Sequence, residues 1–463
     1  MIKVAVLSFS DGRERVHESL KDYIVQCNNN IIRALESTGE VDVVYNPPII
    51  HTNAMASELA GNMVGVDACI LNVCVFSFPN FSSIANSLIH LPKLAIAPIN
   101  GAYPGLGGLQ ATVNLIRQTG GQCEKIWGNI ETKDILNRVM TFLRAGYATK
   151  RLKGQVLGLF GGRSIGIGSG TANPDLWMNK FGIDIDHIDQ LEIVRRAQTI
   201  DDVAADKGLD WLEMHMGDIH YDNDKLTRDS LRMQVKCYLA LKELIQEKSL
   251  DFVAVKCHYD LSEYYWTQCL AAALSNDPYD WDGPKAPIVY SCEADADAAL
   301  TMQVLYLISG KPTLFMDFRH YLEEDEVFAF CNCGACATWY ANRSDDPAEN
   351  LKDVELSPLI PKYAGKGCHV HYIAAPGLMT FARFTRVLDR YKLQAFYGDF
   401  YQLPKSKLEQ TCPVWPHGYT KVNSDPYELA ERFECNHIHA VAGDYIEELQ
   451  LFCKLNDIDF ELL

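Results

Sequence analysis

Two carboxylates at the ends of apolar runs and one distant imidazole are the groups in this chain best suited to chemistry. Glu293 follows the run in IVYSCEAD, Asp317 closes the run in TLFMDF, and His417 stands in the turn-like segment VWPHGY. Such a set leaves room for water or substrate oxygens around a hard divalent cation of the Mn2+, Mg2+ or Co2+ kind. The cation would polarise a pair of neighbouring oxygens while a carboxylate moves a proton. Both acids end a strand in what read as consecutive βαβ units, the position at which open α/β sheets bind ligands. A structural role competes for each. Acids at strand ends cap the helix that follows, where its dipole favours negative charge. The helical stretch ADADAALTMQVLYLIS after Glu293 offers Asp295 or Asp297 for that cap, which would leave Glu293 free. For His417, Trp415 and Pro416 stiffen the approach and Gly418 permits a close backbone, although a lone loop histidine is more often structural or merely exposed.

Other constellations are weaker. His437 and His439 in CNHIHAVAGD share one face of a strand, as ligands, substrate contacts or satisfied core histidines. The glycines of GLFGGRSIGIGSGTANPDLW follow a strand, but the third position of a dinucleotide fingerprint holds Thr171, and Asn-Pro interrupts the helix start. A loop that approaches a polar ligand fits better, with Arg163 as its contact. Cys331, Cys333 and Cys336 in FCNCGAC lack the second pair that a zinc site wants, unless Cys368, His369 and His371 complete it. Small buried residues beside a Gly334 turn are the simpler reading.

The elements that must position these groups follow from periodicity and punctuation. IKVAVLSF, VDVVYN, ACILNVCV and KLAIAPIN alternate with helix-like segments, which predicts a flavodoxin-like, doubly wound parallel sheet over residues 1–150. A second α/β domain over 151–345 opens with QVLGLFGG and continues through GIDIDHID, DFVAVKC, PIVYSC and TLFMDF. Between 223 and 248, Leu231, Val235, Tyr238, Leu241 and Ile245 recur at helical spacing. Residues 346–463 read as a smaller, mostly β domain that supplies His417 and closes with a helix near 445–455. A net charge of −18 argues against a nucleic-acid partner. No apolar stretch reaches the ~18 residues of a membrane span. The N-terminus reads directly as a strand with no signal peptide, and fifteen cysteines then point to reduced thiols in the cytoplasm.

The segment SDGRERVHESL, the tract GGRSIGIGSGTANPDLW with FGIDIDHIDQLEIVRRA, and the run from VKCHYDLSEYYWTQCLAAALSND through SCEADADAALTMQVLYLISGKPTLFMDF belong together with WPHGY and CNHIHAVAGDY. In these motifs the chain resembles the L-fucose isomerase and L-arabinose isomerase superfamily, in particular its shorter fucose isomerase-like members. The resemblance implies an aldose–ketose isomerase in which Glu293, Asp317 and His417 hold a catalytic Mn2+. It also implies that the two carboxylates transfer protons on either side of an open-chain sugar. Arg13, in the DGR motif, would reach a neighbouring subunit's site in a trimer or hexamer. FCNCGAC stands where arabinose isomerases carry a further histidine ligand. Arg163, Lys256, Trp415 and His439 are further candidate sugar contacts. L-fucose, D-arabinose, L-arabinose and 6-substituted hexoses such as sulfoquinovose are the candidate substrates, and Arg13, Arg163, Lys256 or Arg319 could read an anionic C6 group. A non-catalytic sugar-binding protein and a nicotinamide-dependent oxidoreductase are the alternatives.

Overall fold

The strands of the first region are β1 (Ile2–Ser8), β2 (Val41–Tyr45), β3 (Ala68–Asn72), β4 (Lys93–Ala97) and β5 (Glu124–Trp127). They form one parallel sheet in the order β2-β1-β3-β4-β5, the flavodoxin-like order expected from the alternation. The computed structural model describes residues 1–59, 63–88 and 90–463. Alternation along β1 sends Val4 and Val6 into one apolar cluster and Ala5 and Leu7 into another. Both faces of the sheet are therefore covered at its centre, which is why β1, β3 and β4 read as near-continuous apolar runs. The chain divides into two compact units. The first is Met1–Lys153 with Glu447–Asp457, and the second is Gly154–Ile446 with Ile458–Leu463. The helix Ile446–Leu455 gives Leu451 and Leu455 to the core of the first unit, and its Glu448 pairs with Arg144 at 3.2 Å.

The second unit carries β6 (Val156–Phe160), β7 (Asp184–Ile188), β8 (Asp218–Ile219), β9 (Phe252–Val255), β10 (Tyr279–Asp280), β11 (Gly283–Pro284) and β12 (Tyr290–Ser291). After them come β13 (Leu314–Leu322), β14 (Val327–Cys331), β15 (Glu355–Pro358), β16 (Cys368–His371), β17 (Gly377–Val387), β18 (Arg390–Phe400), β19 (His417–Val422), β20 (His437–Ala442) and β21 (Asp459–Leu462). A parallel sheet runs β12-β9-β6-β7. The helix Arg228–Lys248 starts in a Thr227–Ser230 capping box and buries Leu231, Val235, Tyr238, Leu241 and Ile245, as its spacing predicts.

The remaining long strands form an antiparallel sheet in the order β17-β20-β13-β14-β19-β18, closed by direct pairing of β17 with β18. Closure leaves a six-stranded barrel without free edges, and β21 adds alongside β18 in parallel. Met316, Phe330, Phe381, Phe396 and Ile438 belong to one apolar cluster. Phe381 and Phe396 are directly paired across β17 and β18 and stack at 4.9 Å.

One expectation is corrected here. Asp317 does not end a strand of the parallel sheet. Gly310, left-handed at φ 66, ends the helix Ala296–Ser309, and β13 then runs antiparallel between β20 and β14 with Asp317 in its middle. The apolar run stops near Asp317 because β13 continues partly exposed, not because the strand ends. Strands from residues 314–331 and from 377–442 thus share one barrel. Among the described residues no helix is long and apolar enough to cross a membrane.

At the β18–β21 edge, Glu461 accepts hydrogen bonds from Arg432 (2.8 Å), Gln394 (2.9 Å) and Lys392 (3.0 Å). Arg432 first, then Gln394 and Lys392, hold its carboxyl down at about 2, below the ordinary 4.5. A depressed native pKa means this stabilisation is fully present above about 4.5 and is lost as pH falls towards about 2. Glu461→Gln should cost on the order of 1 kcal/mol at neutral pH and should flatten the acid limb of the stability profile, as read by denaturant unfolding at stepped pH.

Candidate active site

Strand period two decides which side chains can meet. Met316 and Ile438 are paired neighbours in the apolar cluster, so Phe315, Asp317, His437 and His439 lie on the opposite, outer face of the barrel wall. In register across that face, His437 stands beside Asp317, Asp317 beside Cys331, and Cys331 beside His417. His437 is therefore one strand from Asp317 and His417 is two, roughly 9–10 Å away through the backbone.

Glu293 arrives from the parallel sheet. Strand β12 ends in a 3-10 turn, Cys292–Ala294, in which Glu293 (φ 60) and Ala294 (φ 51) are both left-handed. Asp295 then takes the cap of the helix Ala296–Ser309, accepting from the Ala298 N–H at 2.9 Å, so the cap falls to Asp295 and not to Glu293. The Glu293 Oε2 atom lies 3.4 Å from His437 Nε2, and Asp317 Oδ1 lies 3.6 Å from the same nitrogen. Glu293 Oε2 and His437 Nε2 are buried without a hydrogen-bond partner.

The other face of the His437 ring is fixed. Its Nδ1 lies 2.7 Å from Asp295 Oδ2, and Asp295 is also paired with Arg383 at 3.0 Å, all three side chains being essentially inaccessible. Burial alone would raise the Asp295 carboxyl, but Arg383 and His437 hold it far below the usual carboxylate range. Burial disfavours charge on His437, yet the bond to Asp295, the nearby Glu293 carboxylate and the charges of Asp295 and Asp317 outweigh it, raising its pKa to about 10. Burial pushes the Asp317 carboxyl up to about 7 against the pull of His437, and Glu293 adds to the rise.

Two carboxylates and one imidazole nitrogen thus converge, with two of their atoms unsatisfied. His437 Nε2 stands 3.4 Å from one carboxylate and 3.6 Å from the other, wider than the roughly 3 Å between adjacent ligands of an octahedral ion with bonds of about 2.1 Å. The donor set fits a hard divalent cation, and the fixed Nδ1–H···carboxylate contact is the usual support of a ligating imidazole.

His417 does not join this group. Its Nδ1 donates to the Trp415 carbonyl at 2.8 Å, and its Nε2 accepts from Thr411 Oγ1 at 2.7 Å. Both ring nitrogens are spent, and burial lowers its pKa to about 4. His439 is buried with Nε2 on Arg383 at 3.0 Å, which places it behind His437 as a brace. Trp415 is buried under the Arg319 guanidinium at 4.7 Å, and Arg319 reaches Asp317 Oδ2 at 3.3 Å, so Trp415 connects to the site through one cation. Lys256 pairs with Asp260 at 2.9 Å. Arg163 folds back on the carbonyls of Ile167 and Gly166 and braces the glycine loop, whose Gly170 approaches the Ala294 carbonyl. In the first unit, Arg13 is held by Asp11 at 2.7 Å with its side chain 69% exposed. Cys336 donates to the Phe315 carbonyl, and His369 contacts the Cys333 carbonyl and the Ile360 N–H. Cys336 and His369 are thus spent locally.

Comparison with known proteins gives this geometry a family. Residues 1–154 match the model described as L-fucose isomerase, first N-terminal domain, and residues 330–463 match L-fucose isomerase, C-terminal domain. An L-fucose isomerase of Haemophilus influenzae strain PittEE is 23% identical over 372 residues, covering 70% of this chain and 62% of the relative. Its counterpart in a second strain of that species is 25% identical over the same length and coverage. An L-fucose isomerase of Klebsiella pneumoniae strain 342 is 23% identical over 219 residues, 42% of this chain and 37% of its own. The chain spans about three fifths of the length of the Haemophilus relatives it matches. Glu293 and Asp317 lie between the two matched segments, whereas His417, His437 and His439 lie within the second. With matches at both ends and relatives spanning most of its length, the chain belongs to the L-fucose isomerase family, as a fucose isomerase-like member.

Proposed function

We propose that this protein is a metal-dependent aldose–ketose isomerase whose cation is held by Glu293, Asp317 and His437. The observation that carries the reading is the convergence of the two carboxylates on the unpartnered Nε2 of His437. His437 here replaces His417 as the third ligand, because His437 stands directly beside Asp317 whereas His417 lies two strands away with its ring nitrogens on Trp415 and Thr411. A bound Mn2+, Mg2+ or Co2+ would supply electrophilic polarisation of two adjacent sugar oxygens. The residues do the rest. One carboxylate takes the proton from C2 of the open-chain aldose. Its partner delivers a proton to O1 and receives the one released from O2. Return of the first proton to C1 completes the ketose.

The substrate class is an open-chain deoxy-hexose or pentose of the L-fucose or D-arabinose type, or a 6-substituted hexose such as sulfoquinovose. Arg319 supports the latter option, being the cation in direct contact with Asp317. On the same reading the active unit is a homo-oligomer, trimer or hexamer, and Arg13 serves a neighbouring subunit. Its exposed, Asp11-braced guanidinium and the likeness of the DGR segment support this. The fifteen free thiols support a reducing, cytoplasmic setting.

EDTA-treated protein incubated with an aldose panel should form ketose only when Mn2+ is restored, without a nicotinamide cofactor. Sugar binding without product, in the presence of Mn2+, would refute the enzyme. Glu293→Gln should lower turnover by roughly 10³-fold or more with an unchanged melting temperature.

A second set separates the two histidines. His437→Gln should weaken Mn2+ binding, measured by electron paramagnetic resonance, by at least roughly 100-fold, while His417→Gln stays within a few-fold of the parent. Asp295 acts through His437 as a positioning residue. Asp295→Ala should cost about 3–5 kcal/mol because Arg383 is left as an unpaired buried charge. Asp295→Asn, whose single amide oxygen can still accept from His437 Nδ1–H in place of Asp295 Oδ2, should recover Mn2+ affinity in part, which a purely structural role for Asp295 would not produce.

A further inference from the structure

A second constellation stands apart from the proposed active site, on the three-stranded sheet β16-β15-β8. Glu355 on β15 is directly paired with His371 on β16 and with Asp218 on β8. Two residues beyond Asp218, His220 returns to the same face, and its backbone N–H is held by the Leu356 carbonyl at 2.9 Å. The side chains converge on one oxygen. Glu355 Oε2 lies 3.0 Å from His220 Nε2 and 3.7 Å from His371 Nε2. The three ligand atoms lie within 4.8 Å of one another, and among the described residues this is the group of His, Cys and acid side chains that meets that closeness.

We propose that His220, Glu355 and His371 form a second metal site, for a borderline divalent cation of the Zn2+ class. Two imidazoles and a carboxylate are the ligand set that zinc takes in three-ligand sites with an open fourth position. Bonds of about 2.0–2.1 Å at tetrahedral angles separate ligand atoms by roughly 3.3 Å, a value bracketed by the two observed distances. The open position faces a cavity of about 390 Å³ lined also by Asp353, Lys405, Leu408 and Glu409. Asp218 Oδ2, 3.5 Å from His220 Nδ1, is placed as the carboxylate that orients a ligating ring. Ser357 Oγ, 2.9 Å from His371 Nε2, donates to the lone pair that the metal would take and would have to turn away.

Lys405 is the counter-charge that must be weighed. Its ammonium lies 2.6 Å from Glu355 Oε1, so it occupies the oxygen that faces away from the imidazoles and leaves Oε2 to the metal. The acids Asp353 and Glu409 on the cavity wall offset part of its charge.

The proposal is independent of the isomerase reading, and its test is built so that the two fail separately. His437→Gln protein, stripped with EDTA, is titrated with Zn2+ against a chromophoric chelator and, in parallel, with Co2+ followed by its visible d–d bands. One equivalent should bind and give the intense bands of four-coordinate Co2+. Adding His220→Ala, at an exposed side chain whose loss leaves the core intact, should weaken that equivalent by at least roughly 100-fold and abolish the bands. His371→Ala should do the same. Retention of the equivalent in both added variants, or no Zn2+ binding by the His437→Gln protein, would overturn the site. Circular dichroism of each variant in EDTA confirms that the fold is kept.

Discussion

The buried carboxylate of Asp295 is the constraint on which the arrangement rests. One group caps the helix Ala296–Ser309, neutralises Arg383 of β17 and orients His437 of β20. The helix after the parallel sheet and two strands of the barrel are thereby tied to a single point. A charge with no access to water is tolerated only when its partners are charged or well placed, and here each partner comes from a different element. Its loss would free an arginine in an apolar interior, so the contact that orients the candidate ligand is also one the fold can ill spare.

Around that point the charge balance is uneven in an informative way. Glu293, Asp295 and Asp317 surround one imidazole, and Arg383 directly offsets only Asp295. The result is an imidazole whose pKa rises to about 10 and an Asp317 carboxyl pushed to about 7. The surrounding acids raise the ring, and burial with Glu293 beside it raises the carboxyl, so positive charge is in deficit between Glu293 and Asp317. A divalent cation held by His437 Nε2 would fill that deficit and displace the ring proton. Arg319, above Trp415, approaches the deficit from the far side of Asp317.

Much of this was legible in the sequence, for physical reasons that also explain what was not. The strands β1, β3 and β4 are covered on both faces, so their apolar runs survive any choice of packing. The helix Arg228–Lys248 declares itself by a buried stripe and by caps at its own end. Glu293 is placed by local chain order alone, at the close of a strand and before a capped helix. Asp317 closes an apolar run without closing a strand, since β13 belongs to the barrel and not to the parallel sheet. His417 and His437 could not be ranked from the chain, because the choice depends on which strands are neighbours. The order β20-β13-β14-β19 puts β20 against Asp317 and sets β19 one strand further off. Nothing in either local segment encodes that. The i, i+2 pair of His437 and His439 was the available signal, and on the strand one ring faces the carboxylates while the other meets Arg383.

The turn at Glu293 shows how the two roles first weighed for this residue were divided. Two successive non-glycine residues in the left-handed region cost on the order of 1–2 kcal/mol each. The turn is closed by the Asp295 N–H on the Cys292 carbonyl at 3.1 Å and by Ser291 Oγ on the Asp295 carbonyl at 2.8 Å. A relaxed passage from β12 into the helix would let the first acid after the strand take the cap. The left-handed pair instead delays the helix by two residues, gives the cap to Asp295 and leaves Glu293 Oε2 aimed at His437. Strain at this turn is thus exchanged for a carboxylate that no backbone group satisfies, which is the condition for it to bind something else.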